Sequence, residues 1–90
     1  MVQIAVELPA QMPDGERARV REAELVRGRE LIAAGSIRSI WRIPGGLRNV
    51  GIWEAADATE LHGLLESLPL FPWLSAEVTP LAKHPLTQED

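Results

Sequence analysis

The first eight residues alternate between apolar and polar or small side chains, with the apolar set at Val2, Ile4, Val6 and Leu8. A period of two with one apolar side predicts a half-buried β-strand over residues 2–8. Residues 9–15 contain prolines, an aspartate and a glycine, which are typical of a turn. Residues 16–34 are rich in Ala, Leu, Glu and Arg and predict a helix, and Gly35 suits the left-handed position that ends one.

Two more strands and a second helix are predicted further along. Residues 37–43 and 48–54 are rich in apolar side chains and flank a Pro-Gly-Gly turn, which indicates an antiparallel hairpin. Asp57 and Glu60 have the spacing of a helix-capping box. The leucines that follow share one helical face, namely Leu61, Leu64, Leu65 and Leu68. After an apolar loop, residues 75–79 predict the last strand.

The order of these elements, β-α-β-β-α-β, predicts an α+β fold. Two split β-α-β units in that order give a ferredoxin-like sandwich, with a four-stranded antiparallel sheet and both helices on one face. The other face contains Trp41 or Trp53, depending on the register of the strands. We expect that apolar face to be buried against another subunit, so that the protein oligomerises through its sheet. With 90 residues and 46% hydrophobic content, residues 1–90 are predicted to form a single domain.

Composition excludes several classes of protein. Nine basic and thirteen acidic residues give a net charge of −4, which argues against nucleic acid or an anionic membrane as the partner. The absence of cysteine excludes a disulfide framework, a thiol nucleophile and a cysteine-based zinc or iron–sulfur site. The longest apolar stretch, residues 68–74, carries two prolines and is too short to cross a bilayer. Because no secretory signal precedes the first strand, we expect a cytoplasmic protein.

Glu24 stands out by its position on the first predicted helix. At about 100° per residue it lies roughly 20° from Leu31 and 40° from Val20, within the apolar stripe. Desolvation there would raise the pKa of the carboxyl toward values useful in proton transfer. The alternative is an interfacial glutamate that pairs with Arg21 or Arg27, and position alone favours that structural interpretation.

Three polar residues flank the predicted hairpin turn. The amide of Asn49 could donate a hydrogen bond to a carbonyl oxygen on which negative charge builds. An asparagine that bonds to its own backbone in a turn is the commoner case. Arg42 or Arg48 could hold a substrate carboxylate through paired hydrogen bonds, although an exposed strand arginine is more usual.

Other catalytic chemistries have little support. His62 and His84 are far apart and lack metal-ligand spacing, so no metal is expected. No glycine-rich phosphate loop follows a strand, and the single lysine, Lys83, lies in the tail. By elimination, any reaction is predicted to be proton transfer without a cofactor.

Several short motifs occur in order along nearly the whole chain. They are Trp41-Arg42-Ile43, the glycine turn followed by Asn49, Glu60-Leu61-His62, Ser-Leu-Pro-Leu-Phe-Pro-Trp ending at Trp73, Val78-Thr79-Pro80-Leu81 and His84-Pro85. Together they resemble the muconolactone Δ-isomerase family. The resemblance implies a ferredoxin-like protomer in a large homo-oligomer, with a dimer as building block and a decamer as one possible assembly. It also implies shared active sites, no cofactor, and a 1,3-proton shift that converts a butenolide with an acetate arm into its enol-lactone.

The resemblance also assigns residues. It places the family's general-base glutamate on Glu24 and its asparagine on Asn49, and it makes Glu24 the favoured catalytic base. The remaining candidates for binding a lactone or enone substrate are Arg42, Leu47, Arg48, Phe71 and Trp73. Leu47 stands where the family has a tyrosine, and the family's histidine near the N-terminus is missing. Alternatives are a lyase or tailoring isomerase for a more apolar substrate, and a non-catalytic oligomeric homologue.

Overall fold

The computed structural model describes residues 1–86, which form four strands and two α-helices in the predicted order. The elements are β1 (Val2–Val6), α1 (Asp14–Ala33), β2 (Ile37–Ile43), β3 (Arg48–Trp53), α2 (Ala58–Glu66) and β4 (Leu74–Val78). A turn of 3-10 helix over Phe71–Trp73 occupies the predicted apolar loop. The last four residues of the predicted domain lie outside the described residues.

The four strands form one antiparallel sheet in the order β2-β3-β1-β4. Val2 and Ile4 of β1 lie opposite Gly51 and Asn49 of β3, so these four residues share one face of the sheet. The strand order and directions confirm the predicted ferredoxin-like sandwich.

The hydrophobic core lies between that face of the sheet and both helices. Leu31 of α1 is 2% exposed, and it belongs to one buried cluster with Leu65 of α2 and the strand residues Val2, Ile4 and Ile37. Burying a side chain of this size contributes about 1.5–3 kcal/mol relative to leaving it in water. Both helices therefore pack on one face, as predicted.

The strand register decides which of the two candidate tryptophans lies on the sheet face away from the helices. Trp53 lies opposite Ile37 and packs against the core cluster on the helix side. Trp41 lies opposite Val50, on the other side of the sheet, and is 57% exposed. The face away from the helices thus carries Trp41 and not Trp53, and its burial against another subunit stays a prediction.

Local signals in the sequence mark the end of α1 and the start of α2. Gly35, just after α1, has a φ of +84°, which favours glycine. Before α2, the Asp57 side chain accepts a hydrogen bond from the Glu60 backbone at 2.8 Å, and the Glu60 carboxylate accepts one from the Ala56 backbone at 2.7 Å. Helix α1 begins two residues earlier than predicted, at Asp14. Neither helix has the length and apolar character needed to cross a membrane, within residues 1–86.

Candidate active site

A cavity of about 410 Å³ lies between α1 and the helix-facing side of the sheet. This volume falls in the usual range for small-molecule sites. Most of its wall is apolar, contributed by β1, α1, β2 and the segment after α2, and includes Ile4, Val6, Ile32, Ile37, Leu68 and Leu70. A few polar side chains, including Glu24 and Asn49, interrupt this apolar wall.

Glu24 is on the wall formed by α1, near the middle of the helix, and is half-buried. Its Oε1 atom accepts a hydrogen bond from the backbone N–H of Leu70 at 3.1 Å. Burial raises the pKa of the Glu24 carboxyl above its ordinary value of 4.5, and the hydrogen bond from Leu70 opposes part of that rise. The carboxyl is thus held in one position in a partly dry environment, with its second oxygen left for other contacts.

The turn after α2 presents the Leu70 N–H to Glu24. Leu68 and Leu70 are both buried, which anchors this segment on the core. Their carbonyl oxygens accept hydrogen bonds from the backbone N–H groups of Phe71 and Trp73, both at 2.9 Å. The N–H of Leu70 instead bonds the carboxylate on α1, 46 residues away in sequence.

Asn49 is on the sheet wall of the same cavity, at the second residue of β3. Its Oδ1 atom is buried and has no hydrogen-bond partner. Leaving a buried polar atom unpaired costs about 1–3 kcal/mol, and in a native structure it calls for an explanation such as a ligand. The Asn49 amide therefore has hydrogen-bonding capacity that no group within residues 1–86 uses.

Arg42 and Leu47 also line the cavity. Arg42 lies opposite Asn49 in the β2–β3 ladder and is exposed, and Leu47 has 39% of its surface exposed. The structure thus brings together four of the residues selected from the sequence, on three elements and one turn.

The other three candidates do not line this cavity. Arg48 lies at the hairpin turn, where its Nη2 donates to the carbonyl oxygen of Pro44 at 3.2 Å. Phe71 packs against the core and meets the ring of His62 edge-on, with centroids 6.1 Å apart. Trp73 is half-buried beside β1, where its carbonyl oxygen accepts a hydrogen bond from the Glu7 N–H at 2.9 Å. Contact of these three with a substrate stays a prediction.

Sequence reasoning missed several residues of the cavity wall. Arg21 was considered only as an ion-pair partner of Glu24, although its spacing of three residues from Glu24 puts both on one helical face and could have indicated that it lines the cavity too. Trp53 follows Asn49 by four residues on one strand, so strand periodicity could have placed both on the same wall. The Leu70 N–H has no signal in the sequence. Within residues 1–86, no three acidic or histidine side chains gather in a metal-binding arrangement.

The site combines a carboxylate on the helix wall, an amide on the sheet wall and an apolar interior. A carboxyl with a raised pKa is a stronger base when ionised, and a low-dielectric cavity strengthens its interactions with a bound molecule. An amide hydrogen-bond donor on the opposite wall can stabilise an oxygen that gains negative charge. Such an arrangement suits removal of a proton from carbon next to a carbonyl group.

A family profile, individual relatives and a solved structure all match nearly the whole chain and all concern one family. The profile of the family described as muconolactone delta-isomerase matches residues 1–87. The muconolactone Δ-isomerase of Acinetobacter baylyi is 36% identical over 99% of this chain and 93% of its own length. That of Cupriavidus pinatubonensis is also 36% identical, over 94% of this chain and 92% of its own. A crystal structure of muconolactone isomerase superimposes with a TM-score of 0.89 at 30% identity, covering 99% of this chain and 93% of that one.

Proposed function

We propose a reaction for this chain from the premise that it belongs to the muconolactone Δ-isomerase family and is an intramolecular isomerase. The proposed reaction is a 1,3-proton shift in a butenolide, with muconolactone as the first substrate to test and the corresponding enol-lactone as product. Glu24 is the general base, and no cofactor takes part. The observation that carries this proposal is the half-buried Glu24 carboxyl in the cavity wall, with its pKa raised by burial.

The proposed mechanism has two proton transfers. Ionised Glu24 removes the proton from the γ-carbon of the butenolide, and the electron pair moves through the ring to the lactone carbonyl, giving a dienolate. The amide of Asn49 donates a hydrogen bond to that carbonyl oxygen as it gains charge. Glu24 then returns the proton to the α-carbon, which leaves the double bond between the β- and γ-carbons.

The position of Glu24 supports its use for both transfers. The Leu70 N–H holds Oε1 at 3.1 Å, so the carboxyl does not need to be reoriented when it becomes protonated. Burial disfavours the ionised form, which makes the carboxylate a better proton acceptor than an exposed glutamate. A single base facing one side of a flat ring can reach both carbon atoms.

Two further residues of the cavity wall are proposed to contact the substrate. The Arg42 guanidinium lies on the strand next to Asn49 and is proposed to bind the carboxylate of the acetate arm. Leu47 supplies an apolar contact in the cavity wall. Leucine has no hydrogen-bonding group, so any donor to the substrate comes from elsewhere in the wall.

Assembly of identical chains is part of the proposal, with residues 1–90 as one domain in each. Large apolar side chains on α1 and β2 are exposed, with Leu25 at 54%, Ile32 at 52% and Trp41 at 57%. Leu25 and Ile32 also line the cavity. A copy packed on the sheet face away from the helices would remove Trp41 from water, and a copy packed over Leu25 and Ile32 on α1 would close the site.

In the test, the purified full chain is mixed with muconolactone, and the reaction is followed by the change in ultraviolet absorbance. Glu24→Gln keeps the size of the side chain and an oxygen that accepts from Leu70, but it cannot take up a proton. Loss of a general base typically lowers the rate by about 10²–10⁴-fold, and we expect a loss in that range without a change in sedimentation. The matched control is Glu22→Gln, which changes an exposed glutamate on the same helix and should retain full activity.

The outcomes separate the alternative functions. Turnover that survives Glu24→Gln would remove Glu24 as the base. Deuterium exchange into butenolide analogues without net conversion would favour a related isomerase or lyase with another substrate. No exchange into any butenolide, together with intact assembly, would favour a non-catalytic homologue.

A further inference from the structure

We infer that Trp53 binds the substrate, and that its indole N–H donates a hydrogen bond to the lactone carbonyl oxygen beside the amide of Asn49. The inference rests on the proposed function for the identity of the ligand. It adds a second donor on the sheet wall, at a residue whose aromatic character alone would suggest only packing.

The first observation is a pair of unpaired polar atoms. Among buried side-chain nitrogen and oxygen atoms of residues 1–86, only Asn49 Oδ1 and Trp53 Nε1 lack a hydrogen-bond partner. Both residues line the same cavity as Glu24. Because native interiors leave few polar groups unpaired, two such groups in one cavity wall indicate that a bound molecule supplies their hydrogen-bond partners.

The second observation is how the indole lies on β3. Asn49, Gly51 and Trp53 alternate along the strand and face the helices together. A Cβ atom on Gly51 would be 3.2 Å from Trp53 Nε1 and 3.4 Å from its Cδ1. The N–H edge of the indole therefore lies over Gly51, between its own residue and Asn49, and the missing side chain at Gly51 makes room for it.

The chemistry of the two groups restricts what they bind. An indole N–H only donates, so its partner must be an acceptor such as a carbonyl oxygen. A half-turn of the Asn49 amide exchanges its oxygen and nitrogen, so that Asn49 donates as well. Two neutral donors directed at one oxygen are the arrangement that stabilises a developing dienolate, whereas the carboxylate arm is better matched by the charge of Arg42.

Binding requires a small movement of the indole. Trp53 Nε1 is buried, although the residue as a whole is only half-buried. A ligand oxygen reaches the nitrogen when the ring shifts toward the cavity, and the hydrogen bond it gains there favours that shift. The environment of the indole N–H should therefore change when a lactone binds.

The experiment is a titration of ¹⁵N-tryptophan-labelled full-length protein with a saturated γ-lactone that carries an acetate arm. This probe cannot isomerise because it has no ring double bond. The three tryptophans give three indole signals, and the signal missing in Trp53→Phe identifies Trp53. We expect that signal to move downfield on titration by more than the other two, which serve as internal controls.

Affinity and rate provide the second readout. Phenylalanine keeps an aromatic ring but removes the N–H. We expect Trp53→Phe to weaken binding of the saturated lactone about three- to tenfold, the value of one neutral hydrogen bond. Because the bond strengthens as charge develops, kcat/KM for muconolactone should fall further, by about 100-fold. A purely structural role would lower stability and leave both the lactone affinity and the kcat/KM of the folded variant unchanged.

Failure of this inference is distinguishable from failure of the proposed function. An unmoved Trp53 signal with normal lactone affinity in Trp53→Phe overturns the inference, while Glu24-dependent turnover would still support the isomerase. A shifted signal in a protein that never isomerises muconolactone keeps the inference and removes the reaction. If Trp53→Phe does not fold, Trp41→Phe and Trp73→Phe identify the remaining signal by elimination.

Discussion

Gly51→Ala tests the crowded packing of the sheet wall, on which the position of Trp53 depends. The new Cβ atom would lie 3.0 Å from the backbone oxygen of Ser39 and 3.2 Å from Trp53 Nε1. Both distances are shorter than ordinary van der Waals contact. The Ser39 oxygen belongs to a strand and can move little, so the indole must give way.

The size of the effect follows from two opposing contributions. Overpacking a well-packed site costs about 1–3 kcal/mol. Replacing glycine by alanine also restricts the unfolded chain, which contributes about 0.4–1 kcal/mol in favour of folding. We therefore expect Gly51→Ala to reduce the free energy of unfolding by about 1 kcal/mol, from the middle of both ranges, and to lower Tm by roughly 4–8 °C per kcal/mol in a domain of this size.

Gly63→Ala is the matched control because it makes the same chemical change in open space. Gly63 lies within α2, is exposed, and a Cβ there would meet no atom within 4 Å beyond its chain neighbours and the backbone of its own helix. Removing a glycine from a helix interior should stabilise the protein by about 0.5–1 kcal/mol. The assay is thermal and urea denaturation of both variants at one protein concentration, since assembly makes Tm depend on concentration.

The two variants are expected to shift stability in opposite directions. If Gly51→Ala were as stabilising as Gly63→Ala, the indole could not be lying over Gly51, and the geometric basis for the Trp53 hydrogen bond would be lost. Destabilisation as expected would support the close packing of the indole over Gly51.

Two further predictions concern Glu24 and Asn49. Because burial raises the pKa of Glu24, the stability linked to its protonation is present below pH 4.5 and is lost as pH rises through the folded pKa. In urea denaturation, the stability of Glu24→Gln relative to wild type should therefore increase from pH 4 to pH 7. The kcat/KM of the wild type should fall as the pH decreases through the pKa of Glu24. A stability difference between the two proteins that does not change with pH would contradict the burial of the carboxyl. Asn49→Ala should lower kcat/KM by about 100-fold with little change in Tm, and a large loss of stability with a normal rate would contradict its role.

The fold was predictable because its signals are local. Alternation over the first residues identified β1, the Asp57–Glu60 capping box identified the start of α2, and Gly35 identified the end of α1. Each signal reflects backbone geometry within a few residues. The sequence could not show the shift in strand register between Ile37 and Ser39, which arises only when two strands are paired.

The candidate site was predictable only in part. Helical periodicity placed Glu24 on the apolar stripe, and the structure confirms that it is half-buried there. The position of Asn49 after the hairpin turn marked it as a possible hydrogen-bond donor, the motif resemblance supported that choice, and Asn49 lines the same cavity. By contrast, Arg48 and Phe71 were selected because they lie near the hairpin turn or in a resembling motif, and both lie away from the cavity. Their positions were not predictable, because the two faces of a strand and the two sides of a loop cannot be told apart without the strand register.

The sequence by itself determined the order of elements, the apolar faces of β1 and α2 and the carboxyl that falls among apolar neighbours, because these follow from side-chain periodicity. Tertiary structure decided that Glu24 meets the Leu70 N–H and that Trp53 rather than Trp41 faces the helices. It also decided that two unpaired polar atoms share one cavity wall. Those features depend on strand register and on contacts between residues far apart in the chain, which no local pattern encodes.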